Sequence, residues 1–225
     1  MLLNREILTK RLTSISGDIR RLDETVTAIK EINIPLFPET YEARSAEAAQ
    51  RAEWVALRLR HLVYAATSIR KWDDYLPRTA DTMGISIEQR EGIYELTLPG
   101  LMPKRKSRKG MEYLFDPLVA ALEQYIKSHR VVRFSHSTVC FIMVYDRTLS
   151  ERRIRDYDNL ELKMALDAIA SFLMKSDGGL LCDAYHSTEL GETDCTKVFV
   201  MDSKCYPRWY SERQERLESA INSGR

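Results

Sequence analysis

The chain has 225 residues, 44% of them hydrophobic, which suffices for one ordinary core plus an appendage or for two small domains. Its formal net charge of +1 argues neither for nor against a polyanionic partner, so any nucleic-acid signal must come from local clustering of basic residues. Charges enter MLLNREILTKRL too early for a secretory signal, no apolar run is long enough for a bilayer, and Cys140, Cys182, Cys195 and Cys205 form no CxxC pair. The expectation is a soluble cytoplasmic protein with reduced thiols, no membrane partner and no redox role.

Apolar residues recur at Leu8, Leu12, Ile15, Ile19, Leu22, Val26 and Ile29. This four-three alternation marks one narrow stripe on a helix, the pattern of a coiled-coil seam. Pro35 and Pro38 interrupt it, and Ser45 is a candidate cap for a second helix that carries Ala52, Val55, Leu59, Leu62, Ala66 and Ile69 in the same rhythm. Two long helices about a proline-bearing loop predict an antiparallel hairpin over residues 1–82, with a boundary at Pro77 and the polar run to about Ile85. Such a seam favours helix–helix association, which makes residues 1–75 the expected docking segment for a protein partner.

A second unit is expected over 92–205. Ile93 to Leu98 reads as a strand stopped by Pro99 and Gly100, followed by the basic loop LMPKRKSRKG. Tyr113 to about Lys127 has helical spacing, with Pro117 tolerable near its first turn, and STVCFIMVY from Ser137 to Tyr145 is a β-rich run suited to a sheet interior. Asp156 to Asn159 introduces a helix whose buried face carries Leu162, Leu166, Ile169 and Leu173. After Gly178 and Gly179, Leu180–Ser187 and Cys195–Met201 read as two strands of a hairpin joined by the polar TELGETD. A surface helix is expected within 206–225. The fold class is therefore α+β, a mixed sheet with packed helices preceded by a helical hairpin.

Asp156 and Asp158 are two apart, so in an extended backbone both side chains project to one side and their oxygens can converge on a cation. Asp177 follows the intervening helix and joins them only if the sheet returns it. The plain alternatives are helix capping for Asp156, Asp158 and Asn159, and a turn role for Asp177 before two glycines. Lys104, Arg105, Lys106, Arg108 and Lys109 form one basic cluster, and Arg147, Arg152, Arg153 and Arg155 another just before the acids. Either alone is usually a solvated loop; two that flank one acidic site suit phosphate contacts to DNA. Cys182, His186, Cys195 and Cys205 match no common zinc spacing, and no GxxxxGK[ST] motif is present.

The order of strand, basic stretch, DxDN, helix and acid resembles the RusA family of Holliday-junction resolvases, small bacterial and phage enzymes that cut four-way DNA junctions. The matching parts are VCFIMVYDRTLSERRIR, DYDN and KSD; ELTLPGLMPKRK is similar to the family's opening strand, which ends in Leu-Pro and passes into a polar or basic loop. The similarity covers roughly Gly92 to Asp202. It implies that Asp156, Asp158 and Asp177 bind magnesium, with manganese as a substitute, and that Lys163 sits beside them as a fourth catalytic residue. It also implies a homodimer that acts as a structure-selective endodeoxyribonuclease on branched or double-stranded DNA. Three features depart from the family: one extra residue between the DN pair and Leu166-Asp167, a Ser-Asp where two acids are frequent, and the helical hairpin. The alternative reading is a non-catalytic adaptor that keeps the fold and binds a protein through the hairpin.

Overall fold

The computed structural model describes residues 5–66, 69–103, 112–149, 151 and 154–223. Helices α1 (Arg5–Lys30), α2 (Pro38–Ala66) and α3 (Ile69–Met83) precede strands β1 (Ser86–Arg90) and β2 (Ile93–Pro99). Helix α4 (Glu112–Ser128), strand β3 (Ser137–Asp146), helix α5 (Lys163–Leu173), strands β4 (Cys182–Gly191) and β5 (Cys195–Asp202) and helix α6 (Tyr206–Ser223) follow. The fold is α+β, with an N-terminal helical hairpin and one five-stranded mixed sheet of order β1-β2-β5-β3-β4. No helix among the described residues is long and apolar enough to cross a membrane.

Helices α1 and α2 pack on each other, as the seam predicts, but the seam is only half used. Ile15 is buried and Leu8, Leu22 and Ile29 are partly so, whereas Leu12, Ile19 and Val26 remain 43%, 46% and 40% exposed. Each row repeats every seven residues, so α2 covers one row of the heptad and leaves the other open. Arg58 of α2 ties the two helices through Asp18 and donates a 2.9 Å hydrogen bond to Ser14. Helix α2 begins at Pro38 rather than at Ser45, because a proline with its preset φ and missing N–H suits the first helical position.

The expected boundary at Pro77 also moves, since that proline lies inside α3 and the helix runs on to Met83. It ends where Gly84, at φ 78°, enters the left-handed region and Ile85 N–H reaches the Ala80 carbonyl at 3.0 Å. Gly84 N–H bonds the Asp81 carbonyl, and Ile85 and Ala80 are both buried, which completes a Schellman stop. Helix α3 packs on α4 and so adjoins the sheet rather than extending the hairpin.

Strand β3 is buried along all but its last residue and forms the spine of the sheet. Val139, Phe141, Met143 and Tyr145 face the core under α4 and α5, and Cys140, Ile142 and Val144 face a smaller core under α6 with Trp209. The expected β4–β5 hairpin is not formed: β5 pairs antiparallel with one edge of β3 and β4 pairs parallel with the other. Both strands find more apolar surface on β3 than on each other. The parallel pair forces a crossover, and that crossover contains DYDN and α5.

Glu53, half-buried on α2, has its carboxyl pushed up to about 7 by burial, from an ordinary value of 4.5. The folded state therefore prefers the protonated acid; that contribution is complete below about 4.5 and is lost as pH rises through about 7. Glu53→Gln should stabilise the chain increasingly across this window and by a constant amount above it. Thermal unfolding at pH 5 and pH 8 checks the sign, and an equal gain at both would sink the assignment.

Candidate functional site

The DYDN segment is not the extended stretch expected of it. Asp156 has extended backbone (φ −66°, ψ 143°), and Tyr157–Asn159 then close a single 3-10 turn. Asp156 occupies the cap position, yet its side chain makes no capping hydrogen bond. The ordinary reason for an aspartate there is therefore missing. Asp156 and Asp158 are both exposed.

The turn that displays them is held on several sides. Leu160 is buried in the main core, and Glu161 N–H donates to the Pro103 carbonyl at 2.8 Å. Arg155 N–H donates to the Tyr145 hydroxyl at 3.1 Å, and the Tyr157 hydroxyl shares a 2.9 Å hydrogen bond with Thr188 Oγ1 on β4. The Tyr157 ring tilts against His186 at 5.7 Å, and His186 in turn lies 6.1 Å from Phe141 of β3. Burial pulls the His186 imidazole below its usual range.

Lys163 opens α5 and donates to both carboxylate oxygens of Asp167, at 2.9 and 2.8 Å. That bond chiefly, then the field of Asp167, raises the ammonium above its ordinary range against an opposing effect of burial, with lesser fields from Asp177 and Glu161. Asp177 adds only a lesser field at Lys163, and α5 separates it in the chain from DYDN. The loop after α5 pins Lys175 N–H to the Phe134 carbonyl and turns through Gly178, whose carbonyl accepts Leu181 and Cys182 N–H. At Cys182, burial first and Asp177 second push the thiol up.

Asp156, Asp158 and Asp177 are not gathered into a closed cage: among the described residues no three His, Cys, Asp or Glu side chains stand close enough together to hold a metal ion. Magnesium does not require one. It dehydrates reluctantly, keeps several waters, and is usually bound by one or two carboxylates plus substrate phosphates. Exposed, all-oxygen donors left unused by capping fit such a substrate-completed site. They do not fit the tight all-protein cage of a structural ion.

Arg147 spends part of its guanidinium on the carbonyls of Gly191 and Leu190, at 3.2 and 3.5 Å, and so fastens the end of β4. Arg155 is half-buried beside the turn. Lys104, Arg105, Lys106, Arg108, Lys109, Arg152 and Arg153 lie outside the described residues. Pro103, covalently next to Lys104, is nonetheless the residue bonded to Glu161 just past DYDN. Sequence reasoning missed Tyr157, Thr188 and His186 as the contacts between the DYDN turn and β4. A period-two reading puts His186 and Thr188 on one face of β4, but nothing in the sequence places β4 parallel to β3.

On the opposite face, a concavity of about 530 Å³ separates α6 from the strands and is lined in part by Glu95, Glu189, Lys197, Trp209, Arg213 and Arg216. Lys197 is paired with Glu95 and Arg213 with Glu189, so the trough neutralises most of its own charge.

These features define an α+β protein with an acidic turn set in a β–α–β crossover and a helical hairpin ahead of it. The chain belongs to the Family of unknown function (DUF6100), whose model matches residues 4–223 and so spans hairpin and sheet together. No curated protein matches it.

Proposed function

We propose that the chain is a magnesium-dependent, structure-selective endodeoxyribonuclease of the RusA type that acts on branched DNA such as Holliday junctions. The observation that carries this reading is the DYDN turn: two exposed acids, with Asp156 free of its expected capping bond, in the crossover that precedes α5. Asp156 and Asp158 would supply carboxylates to the magnesium, or to manganese in its place, with substrate phosphates and water completing its shell; Asp177 is the third ligand that the resemblance implies. The chemistry a bound magnesium supplies is polarisation of a phosphoryl oxygen and activation of water for in-line attack. Lys163, held by Asp167, would neutralise negative charge that develops on the phosphate. Arg147 and Arg155, with the basic residues at 104–109 and 152–153, would position the duplex through its backbone. The active form is a homodimer that presents two such turns to one junction.

The test is incubation of the purified chain with four-way junctions and with plain duplex, with and without magnesium. The expected result is magnesium-dependent cutting of junctions in preference to duplex; equal cutting of both would remove the structure selectivity. A second reading, an adaptor that binds another protein, is favoured by the open row Leu12, Ile19 and Val26 on α1. Binding of junctions without cleavage under every divalent metal would select it.

A further inference from the structure

We propose that the α1–α2 hairpin pairs with a second copy of itself as a four-helix bundle, α1 of each protomer against α2 of its partner. The two flanks of the hairpin differ in chemistry. Buried Ile15 and Thr25 on α1 and buried Ala48 and Val55 on α2 mark the line where the helices meet. To one side of that line Arg58 reaches Asp18 and Ser14, Arg21 reaches Asp18 at 2.6 Å, and Glu47 accepts from Arg44 and Arg51 at 2.8 and 2.7 Å. This flank satisfies its own charges. At about 100° per residue, Leu12, Ile19 and Val26 of α1 and Ala52, Ala56 and Leu59 of α2 fall on the other side. All but the half-buried Ala56 are exposed, so the second flank is an apolar groove along both helices.

That groove is complementary to its own copy. A two-fold rotation about an axis parallel to the helices sets α1 antiparallel to α2 of the partner without changing the height of any residue. Because Arg58 bonds both Ser14 and Asp18, Ile19 lies level with about residue 55 of α2. After the rotation Ile19 therefore enters between the partner's Ala52 and the partner's Ala56, a large side chain seated between two small ones. A two-fold axis across the helices would instead set the large row on itself and the alanines on themselves, leaving a gap along α2. Helices of 26 and 29 residues offer a flank on the order of 800 Å2 per protomer, at about 1.5 Å rise and 10 Å width, which is what a stable dimer needs. The same rotation brings the two loops together, where Ile34, Leu36 and Phe37 are otherwise left exposed to water.

Pairing through the hairpin stands apart from the chemistry of the acidic turn, and its test needs neither DNA nor metal. Sedimentation equilibrium of the full chain should give twice the chain mass at tens of micromolar. Ile19→Lys and Ala52→Glu should each weaken self-association at least about 30-fold, as expected for a residue at the centre of an interface. Far-ultraviolet circular dichroism should not change, since both positions are exposed. Mixed together, the two variants should dimerise again: one α1–α2 contact then sets an ammonium against a carboxylate, and the other is native. A native chain that stays monomeric, or a dimer indifferent to Ile19→Lys, would overturn the proposal and leave cleavage at the acidic turn to its own test. Variants that remain apart in the mixture would overturn the pairing of α1 with α2.

Discussion

Asp158→Asn should abolish magnesium-dependent junction cleavage, lowering the rate at least about 100-fold while leaving the fold intact. The substitution keeps the shape of the side chain and removes its charge, so a magnesium ion loses one of its anionic ligands. Metal assistance is worth several kcal/mol at the transition state, and each 1.36 kcal/mol is a factor of about ten. Asp158 is exposed within the 3-10 turn, so no buried contact is disturbed and far-ultraviolet circular dichroism should be unchanged. Asp156→Asn should behave alike. Junction binding at low salt should survive in both, because phosphate contacts rest on the basic residues. Cleavage by Asp158→Asn within about threefold of the native rate would remove Asp158 from the chemistry.

The second large effect lies on the other face of the sheet. Arg213 of α6 has only 5% of its side chain exposed, donates to Glu189 at 2.7 Å and to Ser187 at 2.8 Å, and lies 5.9 Å from the Trp209 ring centre. Glu189→Ala should destabilise the chain by about 3 kcal/mol, because a buried guanidinium is left without its counter-charge. The cost falls at the low end for a broken buried pair, since Ser187 retains one bond. Replacing both partners, Arg213→Met with Glu189→Leu, should recover most of the loss, as apolar pairs of similar volume often equal a buried ion pair. Urea denaturation measures both. A loss under about 1 kcal/mol in Glu189→Ala would show that water reaches the guanidinium.

Residue spacing discloses the elements better than their neighbours. The four-three rhythm from Leu8 to Ile29 announces α1, but it cannot say that Leu12, Ile19 and Val26 stay uncovered, because that depends on how many helices pack around it. The apolar run over Ser137–Tyr145 marks a central strand, and β3 is one. A period-two pattern carries no pairing information, which is why β4 and β5 look like a hairpin until β3 is found between them. Strand β1, with the sequence SIEQR and mostly exposed residues, shows no alternation to detect, as befits a polar edge. The acids Asp156, Asp158 and Asp177 are conspicuous as residue types. Whether Asp156 is spent on capping, and whether Asp177 returns toward Lys163, depends on torsions and loop closure that letters do not record.

The pairing of β2 with β5 has a temporal side. Glu95 meets Lys197 across a separation of 102 residues, so the first half of the sheet waits for nearly the last part of the chain. During synthesis the α1–α2 hairpin, built from near neighbours, can form early, whereas β2 and β3 emerge from the ribosome with unsatisfied edges until Cys195–Asp202 follows. A nascent chain arrested before that point would carry the acidic turn complete in sequence but on an unfinished platform, and its bare strand edges would invite aggregation.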